Sequence, residues 1–158
     1  MAHYLQQETG AFRLISGTDI STSAPATLQN YTAQATAGGT STTTNFTIVP
    51  GCTLTQGSSG TWLVTGSANF VNTASASQWC LRMTDGTTAD ASAVIIAEGF
   101  AAVPAANLYG LMSLTGIATS PSSQLTLQYT PSSATATAGT TTLALTSPVN
   151  QITAVRIG

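Results

Sequence analysis

The sequence predicts an all-β protein, an antiparallel β-sandwich that follows an N-terminal arm. Three observations predict this fold. Short segments in which apolar and polar residues alternate recur from residue 45 onward, and turn-forming residues separate nearly all of them. Threonine, which is β-branched and favours strands, supplies much of the polar composition. No stretch sustains the helical period of about 3.6 residues.

The alternation begins with NFTIVP and CTLTQ, between residues 45 and 56. After the turn GSSG comes GTWLVTGSANFV, which places Trp62, Val64, Ala68 and Phe70 on one face of a strand. The polar residues of the same segment fall on the other face. These four apolar residues are therefore predicted to face the core.

The next alternating segment is QWCLRMT, which ends at the turn signal Asp85-Gly86. Trp79, Leu81 and Met83 are predicted to point into the core. The opposite face, with Gln78, Arg82 and Thr84, is predicted to point outward. The following segment, ASAVIIAEGF, is apolar on both faces, which predicts a strand that is covered on both sides.

Three further segments complete a set of about eight strands, the spacing typical of a sandwich or barrel. ANLYGLMSLTGIAT is long, and Gly110 and Gly116 within it indicate bulges or close backbone approach. QLTLQYT alternates cleanly. QITAVRIG is apolar on both faces, with Arg156 inside it. Arg156 is either a buried charge that needs a partner or a side chain that extends to solvent at the rim, and we favour the rim.

The first 44 residues differ from the rest, because they contain few large apolar groups and end in AGGTSTTT. We expect an N-terminal arm or an irregular edge segment over residues 1–44, with one short strand near Leu28 to Ala33. Residues 45–158 then form the sandwich domain.

Composition excludes several partner classes. Charged residues make up only 5 % of the chain, the net charge is −2, and the only basic side chains besides His3 are three arginines. Nucleic acids and anionic membranes both attract proteins with a basic surface, so neither is an expected partner. Such a neutral surface is typical of a secreted or particle-bound domain, or of a domain that lies against identical neighbours.

The sequence offers little for catalysis or metal binding. His3 is the only histidine, and it lies in the predicted arm. Asp85 and Asp90 flank GTTA, where a calcium ion is conceivable, but the density of oxygen ligands is lower than in a dedicated site. No signal peptide is recognised, so Cys52 and Cys80 are expected to be reduced and buried. We therefore predict a protein that is not an enzyme and that binds no cofactor or metal.

The order of these segments resembles the TNF-like jelly roll, the fold of complement-type globular heads and of many bacteriophage virion proteins. The resemblance rests on FTIVPGCTLTQGSSGTWLVTGSANF, the Asp-Gly hairpin, the long glycine-interrupted strand, QLTLQY and the terminal ITAVRIG, and it covers residues 45–158. The stretch between Pro50 and Trp62 is longer than the tight link typical of the family.

The resemblance implies a compact homotrimer. In such trimers one sheet lies toward the three-fold axis, and here it would contain the strands at 61–71, 107–118 and 151–157. On that arrangement Trp62, Phe70, Leu114 and Ile152 belong to the core, together with Trp79. The candidates for the trimer interface are Tyr109, Leu111, Val155 and Ile157.

The resemblance also implies a function. We expect a structural virion protein, a capsid decoration or cement trimer that bridges capsomers of a phage head, with the major capsid protein as its partner. It would be located on the capsid surface and assembled in the host cytoplasm. The alternative is a tail-fibre or receptor-binding tip, and a soluble signalling ligand is a third possibility.

Overall fold

The computed structural model describes residues 4–8, 11–15, 29–41, 45–57, 59–72, 77–103, 109–131, 141–143 and 150–158. Their regular structure is entirely β, with two antiparallel sheets packed as layers and a separate two-stranded hairpin, so the predicted β-sandwich is confirmed. Within these ranges no helix is long and apolar enough to cross a membrane. The strands are β1 (Tyr4–Glu8), β2 (Ala11–Ile15), β3 (Asn30–Gln34), β4 (Thr40–Ser41), β5 (Thr47–Thr55), β6 (Thr61–Asn72), β7 (Ser77–Asp85), β8 (Val94–Val103), β9 (Tyr109–Thr119), β10 (Gln124–Pro131), β11 (Thr141–Leu143) and β12 (Gln151–Arg156).

One layer of the sandwich, which we call the β7 sheet, has the strand order β5-β10-β7-β8. The other layer, the β6 sheet, is built around the longest strand. β6 pairs with β9 over residues 61–71, and its other edge pairs first with β12 and then with β11. β3 lies outside β12 and β4 lies outside β11. Non-consecutive strands are thus neighbours in both sheets, as in a jelly roll.

The two sheets also meet along one side, where β8 approaches β9. Glycine makes this approach possible, since a Cβ atom at Gly116 would lie 2.8 Å from both Cγ2 and the carbonyl oxygen of Ile96. Gly99 similarly faces Leu114, whose Cδ2 would lie 2.9 Å from a Cβ atom there. The predicted close backbone approach at Gly116 is therefore present in the structure.

The core fills the space between the sheets. It consists of buried apolar side chains from β5, β6, β7, β10 and β12: Val49, Cys52, Leu54, Trp62, Val64, Ala68, Phe70, Trp79, Leu81, Met83, Leu125, Leu127, Tyr129, Ile152 and Ala154, with Ala118 from β9. Phe70 packs against Trp79 and Tyr129 at one end, and Tyr31 packs against Trp62 at the other.

The residues predicted for the core lie between the two sheets. Trp62, Phe70, Trp79 and Ile152 are fully buried. Leu114 is only half-buried, and it packs against the edge of the same cluster. The reason is its position on β9, which forms an outer strand of the β6 sheet and, among the described strands, pairs by hydrogen bonds with β6 alone.

Of two expectations about the β7 sheet, the outward direction of Arg82 and Thr84 was correct and the covering of β8 on both sides was wrong. Arg82 and Thr84 point away from the core as predicted, yet they are buried rather than exposed, because residues 86–93 fold back over them. β8 was expected to be covered on both sides, but Val94, Ile95 and Phe100 are at least half exposed. Apolar character on both faces of β8 therefore does not come from burial within one chain.

The N-terminal residues divide into two parts. β1 and β2 pair with each other as a separate two-stranded hairpin. β3 and β4, although within residues 1–44, form edges of the β6 sheet by pairing with β12 and β11. The division of the chain into an arm or edge segment over residues 1–44 and a domain over residues 45–158 stays a prediction. In the first of these segments, residues 30–34 and 40–41 form edge strands of the β6 sheet.

Candidate interaction surface

The outward face of the β6 sheet combines exposed apolar side chains with an absence of charge among its described residues. Side chains alternate along its strands, so every second residue turns away from the core. We call this set the uncharged face. It comprises Asn30, Thr32, Gln34, Thr61, Leu63, Thr65, Ser67, Asn69, Val71, Tyr109, Leu111, Ser113, Thr115, Ile117, Thr119, Gln151, Thr153, Val155 and Ile157.

Charge is segregated between the two sheets. The three acids whose side chains the structure describes, Asp85, Asp90 and Glu98, lie on the β7 sheet or in the connection between its strands β7 and β8. Arg82 lies on the same sheet. Arg156 lies at the end of β12, on the opposite side of that strand from Val155, and its guanidinium contacts Gly158 and Gln29 at exposed positions. The guanidinium thus lies at the rim of the sandwich.

The strand register arranges the uncharged face in rows. Val155, Leu63 and Ile117 are direct cross-strand neighbours and, with Ile157 just beyond, form the first apolar band. At the other end of the sheet, Val71, Tyr109 and Leu111 form the second apolar band. The polar band lies between them and contains a threonine row and a glutamine-serine row: Thr32, Thr153, Thr65 and Thr115, then Gln34, Gln151, Ser67 and Ser113.

Both apolar bands are open to solvent. Ile117 is 61 % exposed, Tyr109 is 62 % exposed, and Leu111 and Ile157 are each 54 % exposed. Contiguous apolar residues at such exposure are typical of interaction sites.

A shallow depression occupies the polar band. Its volume is about 280 Å³, and it is lined by Thr65, Gly66, Ser67, Ser113, Leu114, Thr115 and Gln151. The depression exists because short hydroxyl side chains lie between rows of larger apolar ones.

The predicted interface residues all lie on this face. Tyr109, Leu111 and Ile157 are exposed and Val155 is half-buried, which leaves their role at a subunit contact a prediction. Sequence reasoning missed Leu63 and Ile117. Leu63 is the single large apolar residue on the outward face of the first half of β6, and Ile117 has the same status in the second half of β9. A large apolar residue on an otherwise polar face departs from the alternating pattern, and this departure could have identified both residues.

The outward side of the β7 sheet is closed by a buried polar network instead. Gln128 is fully buried, accepts a hydrogen bond from Arg82 Nε at 2.8 Å and donates one to the carbonyl oxygen of Thr88 at 2.7 Å. Arg82 Nη2 donates to the carbonyl oxygen of Asp90, and the guanidinium stacks on Phe46. These bonds fasten residues 86–93 over the sheet. Burial lowers the pKa of Arg82, while Glu98 opposes that shift.

The acids of this sheet do not converge on a metal site. Asp85 accepts hydrogen bonds from the amide and hydroxyl of Ser122, and Asp90 accepts them from the amide and hydroxyl of Ser92. The bonds from Ser92 lower the pKa of Asp90. Among the described residues no group of three His, Cys, Asp or Glu side chains comes together. His3 lies outside the described residues.

The two cysteines are free and buried. Burial raises the pKa of Cys52 to about 12, and burial together with Glu98 raises that of Cys80 to about 12. Thiolates are the reactive form of cysteine, so neither side chain is suited to nucleophilic chemistry.

Comparison with known proteins gives a fold but no family. No protein-family model matches the sequence, and no curated protein matches it. The chain is similar in structure to the Eiger TNF of S. frugiperda, with a TM-score of 0.55 and 8 % sequence identity over 83 % of this chain and 93 % of that one. The protein therefore has a TNF-like β-sandwich fold.

Proposed function

We propose that this protein is a structural protein that associates with copies of itself through the uncharged face to form a homotrimer. The observation that carries the proposal is the coincidence of two apolar bands with the absence of charge among the described residues of that face. Burying an exposed Ile, Leu or Val side chain contributes about 1.5–3 kcal/mol. An identical neutral face is also a partner that incurs no charge repulsion. The TNF-like fold favours three copies.

We propose further that the trimer decorates a virion capsid and bridges its capsomers, with the major capsid protein as partner. Two features support this role. The uncharged face is available for self-association, while the β7 sheet carries Asp85, Asp90 and Glu98 and leaves a chemically different surface for a second partner. A trimer has several equivalent copies of that surface, so weak individual contacts add up to tight attachment.

The alternative function is a receptor-binding tip of a phage tail or fibre. Phe100 and Tyr109 favour it, because both are more than 60 % exposed and lie on either side of the connection between β8 and β9. Aromatic side chains at such positions often stack on ligands. Trp62 and Trp79 do not contribute, since both are fully buried.

Native mass by light scattering tests the self-association. We expect three times the chain mass for the wild type. Ile117→Asp places a charge in the first apolar band and is expected to give a monomer, because the carboxylate would be desolvated without a partner. Phe100→Asp is the matched control, since Phe100 is equally exposed but lies on the β7 sheet.

A trimeric wild type permits the second test, electron microscopy of the labelled trimer mixed with purified phage heads and tails. Decoration of heads by the wild type supports the capsid role whether or not Phe100→Asp retains it, because Phe100 lies on the sheet that is proposed to face the capsid. Labelling of tails only, lost in Phe100→Asp, supports the receptor-binding tip and contradicts capsid decoration. A monomeric wild type contradicts both the trimer and the role built on it.

A further inference from the structure

We propose that the polar band determines how many copies assemble and in what register, whereas the two apolar bands supply the affinity. The inference rests on the proposed self-association and assigns separate tasks to parts of the same face. Its occupant is a second copy of this chain, because a face without described charges matches an identical neutral face.

The polar band has hydrogen-bonding groups to spare. Thr32 and Thr153 share a hydrogen bond of 3.2 Å between their hydroxyl oxygens. The next two residues of the row, Thr65 and Thr115, are exposed, and their hydroxyls have no hydrogen-bond partner in the part of the chain that the structure describes. Ser113, in the adjacent row, is likewise exposed. The hydroxyls of Thr65 and Thr115 can therefore bond to a neighbouring copy without breaking a hydrogen bond within the described part of their own chain.

The shape of the face gives these groups a defined place in a contact. The depression of about 280 Å³ lies between rows of larger apolar side chains. Where the faces of neighbouring copies meet, the apolar bands exclude water from the space between them. The hydroxyl and amide groups left in that space must then pair across the contact or through trapped water.

Pairing of this kind favours one arrangement over others. A hydroxyl buried without a partner costs about 1–3 kcal/mol. Any register, or any number of copies, that leaves Thr65 and Thr115 unpaired is therefore disfavoured, while a purely apolar face would tolerate several arrangements. Selecting one register or one number of copies is the best-attested role of polar groups inside an apolar contact.

The experiment compares three double variants by native mass spectrometry and light scattering. Thr65→Val/Thr115→Val keeps the shape of the side chains and removes both hydroxyls; we expect several oligomeric species in place of one. Leu63→Ala/Ile117→Ala should keep a single species but dissociate at a concentration at least about tenfold higher. Thr47→Val/Thr55→Val makes the same chemical change at exposed positions of β5 and should behave as the wild type.

Two results for Thr65→Val/Thr115→Val overturn the inference. One is a single species with the stoichiometry of the wild type, because the hydroxyls then select nothing. The other is complete dissociation, because the hydroxyls then supply affinity. Both leave the proposed trimer intact when the wild type is itself trimeric. A monomeric wild type overturns the proposed function instead, so the two failures are distinguishable.

Discussion

Arg82 shows how one residue can have a role opposite to that suggested by its type. A guanidinium on the outward side of a strand is ordinarily solvated, yet Arg82 is only 3 % exposed. Its burial is tolerated because its donors are used: Nε bonds to Gln128, Nη2 bonds to the backbone of Asp90, and the planar group stacks on Phe46. The charge therefore fastens a connection to a sheet and leaves no basic patch at this position.

Removing this guanidinium is expected to destabilise the fold. Arg82→Met keeps much of the side-chain volume but leaves the Gln128 carbonyl oxygen and the Asp90 backbone without their donor. We expect the free energy of unfolding to fall by about 2 kcal/mol, the typical cost of buried groups that lose a charged partner. Chemical denaturation monitored by tryptophan fluorescence measures this change, since Trp62 and Trp79 are both in the core.

Arg156→Met is the control for that measurement. It makes the same chemical change at a residue whose contacts, to Gly158 and Gln29, are longer and exposed. Its effect should stay within about 0.5 kcal/mol, as for most surface substitutions. Equal effects of the two substitutions would mean that the network around Arg82 adds nothing to stability.

The contact between β8 and β9 depends on the absence of a side chain at Gly116. The nearest atoms to a Cβ there include the Ile96 backbone carbonyl, which cannot move away as the end of a flexible side chain can. Gly116→Ala is therefore expected to cost about 1–3 kcal/mol, the range for overpacking. Thermal unfolding of the variant measures the loss as a lower midpoint temperature.

Gly57→Ala serves as the comparison for Gly116→Ala. A Cβ atom at Gly57 would lie 3.8 Å from Cζ2 of Trp62, an ordinary packing distance. Its midpoint temperature should stay close to that of the wild type. If Gly116→Ala also leaves the midpoint unchanged, β8 and β9 are free to separate and the sandwich is open along this side.

The alternating pattern allowed the strands and their inward faces to be predicted, because the inward face of each strand is buried by the opposite sheet, as Trp79 is by Phe70. The opposite faces were harder to predict. Whether Thr84 is covered depends on the path of residues 86–93, and periodicity contains no information about a connection that folds back. The first apolar band was predicted only in part. The family resemblance placed Val155 and Ile157 at an interface, whereas Leu63 and Ile117 could be placed beside them only once the cross-strand register was known.

For the whole molecule, the described charges are distributed unequally between the two sheets. The β7 sheet covers its own polar network and presents acids beside the exposed apolar residues Val94, Ile95 and Phe100 of β8, whereas the β6 sheet presents apolar and polar bands without described charges. The charged side chains that the structure describes are not scattered evenly, because Asp85, Asp90, Glu98 and Arg82 belong to the β7 sheet or its β7–β8 connection, while Arg156 lies at the rim. This placement of the described charges supports the proposed self-association through the uncharged face.

Self-association through the uncharged face is therefore expected to be insensitive to salt and to moderate changes in pH. The described residues of the face include no Asp, Glu, His, Lys, Arg or Cys, so none of them changes charge between about pH 5 and pH 8. Screening by about 1 M salt weakens contacts between charges and leaves apolar and neutral hydrogen-bonded contacts in place. Sedimentation velocity across these conditions should give one unchanged species. Dissociation at high salt would show instead that charged groups, with Arg156 as the nearest described candidate, hold the copies together.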